Sequence, residues 1–453
     1  MRLAVLSVFF FTLFSCPSAF AQPTVLSKDP RVEQIVRAVS AEHIRATIEK
    51  LVSFGTRHTL STATDPNRGI GAARRWIRSE FERSSANSGG RMTVAFDECT
   101  LPPSPRVNRA TTIVNVVATL RPKEENLPSA HQTIIISGHY DSRVTDVMDS
   151  VSNAPGADDD ASGAALVLEL ARVLSGADVR ATLVFICFAG EEQGLYGSQH
   201  FADEAAKQGQ PIEAVLNNDI VGAIHGGDGD VDSTTVRVFS QALSPLDTGT
   251  VLRRMNTLGL ENDGPSRCLA RYCKEIGERY VPHFTVRMIY RADRFLRGGD
   301  QMPFHQHGFA AVRFSESKEN FDHQHQNVRT EGGVEYGDLL KFVNLRYCAN
   351  IARVNAAVAA SIAFAPPRPT DAGLVVSGLA YGSTLHWSPA QGIDAAGYFV
   401  RWRETSSPVW QHAEFTTDTT ATLKVSKDNA LFGVQAVSKQ GDASLYAIPM
   451  PVR

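Results

Sequence analysis

The sequence predicts an α/β fold, a mixed and mostly parallel sheet sandwiched by helices, followed by a small all-β sandwich. Two observations carry this expectation. Seven short apolar, β-rich runs alternate with helical stretches, and several are continuously apolar, as strands covered on both faces are. Beyond a proline-rich break at 365–369 only strand-like runs remain.

The elements follow in chain order. Arg2, the apolar run 3–14 and Ala19-Phe20-Ala21 have the grammar of a signal peptide over 1–21. The mature chain is therefore expected to begin near Gln22 and to be exported, to a periplasm or the medium. Val32, Ile35, Val36, Val39, Ile44 and Ile48 recur at helical spacing, which predicts two short helices. A further helix is expected over 69–83. Strands are expected at 92–96, 112–120, 133–137, 181–188, 215–219, 236–240 and 310–314, with helices at 163–174, 195–207 and 243–258. A long helix over 335–363 closes a first domain, 22–364. A proline-rich linker, 365–370, leads to a second domain, 371–453, with strands at 374–377, 383–387, 397–403, 421–425 and 431–437. Trp387 and the alternation Tyr398, Val400, Trp402 fit its core.

Composition narrows the function. The 453 residues carry 45 Lys and Arg against 48 Asp and Glu, a formal charge of −3, which argues against nucleic acid held on a basic face. No segment after the signal offers the roughly 18 uncharged apolar residues of a membrane span. Of six cysteines, Cys16 leaves with the signal, so an odd number remains in a compartment that permits disulfides. Cys268 and Cys273 are the expected bridge, and Cys187 reads as buried filler.

Four of the runs end in residues able to hold a metal. The run 133–137 leads into Gly138-His139-Tyr140-Asp141-Ser142, and 181–188 into Ala189-Gly190-Glu191-Glu192-Gln193-Gly194. The fourth finishes at Asn217-Asn218-Asp219, and Pro155-Gly156-Ala157-Asp158-Asp159-Asp160-Ala161-Ser162-Gly163 precedes a helix. Singly, each has a bland explanation: an Asp triplet caps a helix, and a Glu pair is a solvated turn. Together they matter, because ligands in open α/β sheets bind beyond the carboxyl ends of the strands.

Three segments, 138–142, 155–163 and 190–198, resemble those of the secreted bacterial di-zinc aminopeptidases, a family that includes glutamate carboxypeptidases and glutaminyl cyclases. The likeness covers roughly 51–363. It implies two zinc ions per chain, with His139 and Asp219 matching the ligands of one. Glu192 and a late histidine match those of the other, and Asp159 matches the carboxylate that bridges both. The bond from Asp159 to Asp160 would be the family's cis peptide. Among His305, His307, His323 and His325, we take His325 as the late ligand, because 321–326 precedes the closing helix, where the resemblance places the last ligand before a short polar stretch. Gln301, after Gly298-Gly299-Asp300, stands where many relatives have His.

Three protein donors per zinc, one of them shared, leave room for a water. Asp141 is placed to accept the second N–H of the His139 imidazole. Glu191 is the expected general base, taking a proton from the attacking water and returning it to the leaving amine. The expected activity is aminopeptidase, on peptides with a free N-terminus, by a monomer. Alternatives are glutaminyl cyclase, or a carboxypeptidase using a cation among Arg271, Arg287, Arg291 and Arg294. A non-catalytic binding protein, with the sandwich as its active part, is the alternative of a different class. Segment 371–453 resembles a fibronectin type III module, and Tyr272 is offered as a substrate-pocket residue.

Overall fold

The computed structural model describes residues 28–390 and 395–453, so the signal-peptide expectation lies outside the described residues. The expected apolar runs are found as β1 (Met92–Leu101), β2 (Thr111–Leu120), β3 (Thr133–His139), β4 (Thr182–Phe188), β5 (Ile212–Asn218), β6 (Thr235–Ser240) and β8 (Ala311–Glu316). A strand that periodicity did not single out, β7 (Thr285–Ile289), completes an eight-stranded sheet in the order β1-β2-β4-β3-β5-β8-β6-β7. The pairs β4/β3, β3/β5, β5/β8 and β6/β7 are parallel, and the others antiparallel. The sheet is thus mixed and mostly parallel.

Helices cover it: α1 (Pro30–Ala38), α2 (Ala41–Ser53), α3 (Gly69–Ser85), α4 (Ala161–Leu174), α5 (Glu191–Gly194), α6 (Tyr196–Lys207), α7 (Gly249–Thr257), α8 (Pro265–Tyr280), α9 (Gln301–Gln306) and α10 (Leu345–Phe364). Three expectations need correction. Residues expected to open a helix at 335 instead form a hairpin, β9 (Arg329–Glu331) with β10 (Val334–Tyr336). Helix α10 begins only after Asn344, whose side chain accepts the Tyr347 N–H at 3.0 Å. Helix α7 also starts later than expected, at Gly249, beyond Pro245 and without a side-chain cap. Helix α10 is long and apolar enough to cross a bilayer by composition, at mean hydropathy 1.2, yet it lies buried in the core beside α1, α2, α4 and α8.

The third correction concerns α8, a helix not among those expected. Its buried face carries Cys268, Leu269, Tyr272, Cys273, Ile276 and Tyr280, but also the buried Arg267 and Arg271, which break the apolar stripe. Cys268 and Cys273 are both free and buried. Five helical residues turn their side chains about 140° apart, so the expected bridge cannot form. Tyr272 is no pocket residue either, since it is buried and its hydroxyl donates to the Ala443 carbonyl at 2.9 Å.

After α10 come two small sheets. One joins β11 (Thr370–Val375), β12 (Ser383–Ser388), β15 (Thr420–Leu423) and β17 (Met450–Val452), and the other β13 (Gly397–Glu404), β14 (His412–Thr416) and β16 (Ala430–Val437). They share a core of Leu385, Trp387, Tyr398, Val400, Leu423, Phe432 and Val434. This unit is bound to α8 by charges. Asp263 accepts from Arg403 at 2.8 and 2.9 Å and from Arg271 at 3.0 Å, all three side chains being buried. Glu275 takes Arg401 and the Tyr446 hydroxyl. Replacing Asp263 by Asn leaves two buried guanidinium groups under-compensated. Asp263→Asn is expected to lower stability by about 3–5 kcal/mol, read as the urea unfolding midpoint. An unchanged midpoint would refute the clamp.

Candidate metal centre

Strands β4, β3 and β5 are adjacent and parallel, so their carboxyl ends open on one crevice. His139 is the last residue of β3, Asp219 follows β5, and Glu191 and Glu192 form the first turn after β4. The Asp triplet lies between them at the start of α4. Asp160 ties these ends together: its Oδ2 accepts the His139 N–H at 3.0 Å, and its Oδ1 those of Gly163 at 2.9 Å and Ile220 at 3.2 Å. Such close approach excludes side chains. A Cβ on Gly163 would lie 2.3 Å from the Asn218 carbonyl oxygen and 2.4 Å from Asp160 Oδ2. The peptide Asp159–Asp160 is cis. Ile220 and His325 adopt left-handed backbone, φ 59° and 55°, of the kind that clusters at functional sites.

The side chains then form two groups sharing a boundary at Asp159. His139 Nε2 lies 3.2 Å from Asp159 Oδ1 and 4.0 Å from Asp219 Oδ1. On the other side, His325 Nε2 lies 2.8 Å from Asp159 Oδ2 and 3.1 Å from Glu192 Oε2. The donor atoms of His139, Glu191 and Asp219 fall within 4.8 Å of one another, as do those of Asp159, Glu192 and His325. His323 is elsewhere, stacked on Phe342 at 3.6 Å. His305 faces the Ala311 carbonyl and His307 pairs with Asp203. Gln301 turns away from the cluster, its amide donating to Asp293.

These residues fit a metal. His139 Nε2, Glu192 Oε1 and Asp219 Oδ2 are buried without a hydrogen-bond partner, an arrangement costly to maintain unless something binds them. Imidazole nitrogens with carboxylate oxygens are the donor types that zinc takes. Asp141 lies beside them, its carboxylate facing the His139 ring as expected and also holding backbone. Its carboxylate accepts the amides of Glu191 at 3.4 Å and Glu192 at 3.1 Å and the Thr59 hydroxyl at 3.1 Å. The His139 Nδ1 meets the Asp141 backbone carbonyl at 3.2 Å, with the carboxylate at 3.5 Å.

The cluster's electrostatics follow from burial and crowding. Burial, with the nearby carboxylates of Asp219, Glu192 and Asp300, pushes Glu191 well above the usual carboxylate range. Burial also raises Asp219, against the opposing pull of Arg313. For Asp159, burial is outweighed by His325 and His139, which hold it well down. Burial alone would depress both imidazoles, but Glu191 and Asp160 carry His139 well up, and Glu192 and Asp159 push His325 up to about 10.

Several residues of the site were not anticipated. Arg143 donates to Glu192 Oε2 at 2.9 Å and lies 2.5 Å from His325 Nδ1. Arg57, buried, holds the loop before the triplet through the carbonyls of Pro155 and Gly156 at 2.6 and 2.8 Å. Asp338 accepts the amides of Asp158 and Asp159 at 2.8 and 2.7 Å, and Gln324 donates to Asp159 Oδ2 at 2.9 Å. Arg313 donates to Asp219 Oδ1 at 2.7 Å. Only Arg313 left a sequence signal: a lone charge inside an apolar strand.

Fold and donor set together define an α/β scaffold of the zinc aminopeptidase kind. A family model described as peptidase family M28 matches residues 115–332. A "Probable zinc metalloprotease" of Leptosphaeria maculans is 42% identical over 424 residues, covering 93% of this chain and 97% of that protein. One of Pyricularia oryzae is 44% identical over 433 residues, covering 93% and 85%. The chain belongs to peptidase family M28. Both relatives are fungal, so the bacterial part of the resemblance gives way to the broader family. In fold, the chain is similar to the LapA aminopeptidase of Legionella pneumophila, with a TM-score of 0.53 at 20% identity over 75% of this chain and 76% of that one. It is also similar to an aminopeptidase from Aneurinibacillus sp. strain AM-1, with a TM-score of 0.50 at 17% identity over 74% and 96%.

The packing behind Asp219 leaves no room for a methyl group at position 299. A Cβ on Gly299 would lie 2.7 Å from Arg313 Nη1 and 3.2 Å from Asp219 Oδ2, whereas one on Gly298 would meet nothing nearer than 3.8 Å. Gly299→Ala is expected to cost about 1–3 kcal/mol and Gly298→Ala well under half of that, measured by urea unfolding. Equal effects would contradict this geometry.

Proposed function

We infer that this protein is an exported zinc-dependent aminopeptidase that releases N-terminal residues from peptides. The observation that carries this reading is the pair of donor groups meeting at Asp159, with Glu191 beside them at the crevice. His139, Asp159 and Asp219 would hold one zinc ion, and Asp159, Glu192 and His325 a second. When bound, the ions supply Lewis acidity, which acidifies a water and polarises the scissile carbonyl.

The chain's own groups do the rest. Glu191 keeps some exposure, and its proton affinity is raised by desolvation together with the carboxylates around it. It accepts the proton of the attacking water and passes it to the leaving amine. Asp141 holds the amides of Glu191 and Glu192, so the base and the neighbouring ligand keep their separate directions. Arg57 and Asp338 fix the loop that presents Asp159.

A second reading, carboxypeptidase, draws on Arg143, the cation against Glu192 and His325, which a terminal carboxylate could take. Of the cations first considered for that role, Arg271 is committed to Asp263, and Arg294 to Asp293 and Glu319. Export rests on Arg2, the run 3–14 and Ala19-Phe20-Ala21. A fibronectin type III-like role for 371–453 is supported by its sheets of four and three strands.

The zinc-loaded protein is expected to hydrolyse aminoacyl chromogenic amides, to ignore N-acetylated ones, and to lose activity on chelation with recovery on added zinc. Cleavage of N-blocked peptides only at their free carboxyl end would favour the second reading. Glu191→Gln is expected to lower kcat by about 10²–10⁴ while both zinc ions are retained, as read by elemental analysis. Near-normal turnover in that variant would exclude Glu191 as the base.

A further inference from the structure

Arg313 is fully buried in the middle of β8, between β5 and β6, where a charge is expensive unless every direction is answered. Its guanidinium spends its donors on one side of the metal centre. Nη2 donates to Asp219 Oδ1 at 2.7 Å and to the Asp219 carbonyl at 3.3 Å. Nη1 donates to the Gly298 carbonyl at 3.0 Å and to Asp293 Oδ2 at 3.4 Å, while Nε has no partner.

Asp293 is anchored in turn. Its Oδ2 also accepts from the Gln301 amide at 2.5 Å, and its Oδ1 from the Arg294 N–H at 2.6 Å. Gln301 Oε1 receives Asn217 of β5 at 3.4 Å. A continuous chain of contacts therefore runs from β5 through α9 and the loop before it to β8, and ends on the carboxylate that follows β5. The Asp219 oxygen held by Arg313 is the one 4.0 Å from His139 Nε2.

We propose that Arg313 is a positioning residue: its two-pronged contact with the side chain and carbonyl of Asp219, braced by Asp293, holds that carboxylate at the distance from His139 that metal binding needs. This rests on the reading of Asp219 as a zinc ligand. A lysine at 313 keeps the charge but has no planar fork with which to hold Asp219 and Asp293 together. Asp293→Asn removes the charge that braces the guanidinium while leaving Asp219 and Arg313 themselves in place.

The test uses the full chain in three forms, wild type, Arg313→Lys and Asp293→Asn, with zinc affinity measured by chelator competition. The visible spectrum of the cobalt-substituted protein serves as a second readout. The expected result is a loss of tenfold or more in the affinity of one zinc site in Arg313→Lys, a smaller loss in Asp293→Asn, and altered cobalt bands in both. Should Arg313→Lys fail to fold, Asp293→Asn carries the comparison. Unchanged affinity and spectrum in the folded variants, with at most a lower melting temperature, would overturn the positioning role while the zinc reading stands. A wild-type chain that takes up no zinc at this centre would overturn the zinc reading, and the inference with it.

Discussion

One buried carboxylate, that of Asp160, joins the end of β3, the first turn of α4 and the exit from β5 through three backbone N–H groups. Each of those segments delivers a metal-type side chain or stands beside one. Because Asp160 sits on the backbone and not on the functional groups, it sets where His139, Asp159 and Asp219 begin before any of them meets a ligand. The glycines nearby follow from this arrangement. Gly138 and Gly163 let a strand end and a helix start approach the Asn218 carbonyl within distances that a Cβ would violate.

Around that framework the molecule manages a dense negative charge. Asp141, Asp159, Asp160, Glu192 and Asp219 are all buried, and Glu191 is partly so. Arginines answer them from outside the donor groups, Arg143 by an ion pair on the Glu192 side and Arg313 by one on the Asp219 side, while Arg57 acts through space, its donors going to backbone carbonyls. An ion pair in such surroundings adds little net stability, but losing one partner is costly, so the arrangement favours a single geometry over a strong one. Among the described residues, the buried atoms left without a hydrogen-bond partner include His139 Nε2, Glu192 Oε1 and Asp219 Oδ2, together with others scattered through the core.

The C-terminal sheets obey the same logic at a different place. They are held to α8 by buried arginine–carboxylate contacts, not by an apolar seam alone, and Asp442 reaches across to Arg31 at the start of α1. A proline-rich stretch joins the two units in sequence, yet the contacts make the second unit part of the support of the β6/β7 edge, where α8 packs.

The central strands, most helices and the sandwich strands other than β14 and β17 were legible because burial on both faces, or on one stripe, writes a periodic apolar pattern. The same pattern exposed the metal-type residues, since polar groups at the ends of apolar strands stand out; the family resemblance then separated Asp159 from its neighbours. Helix α8 was hidden because Arg267 and Arg271 face inward, and inward arginines are stable only where carbonyls and Asp263 lie opposite, which no local pattern records. The expected 268–273 bridge failed for the related reason that spacing along a chain says nothing until the helix sets the directions. By itself, the sequence determined which residues end each strand and what chemistry they can offer. Only the tertiary structure decided which carboxylate holds backbone and which faces the cluster, and which arginines stand behind them, because those choices depend on partners 21 to 179 positions away.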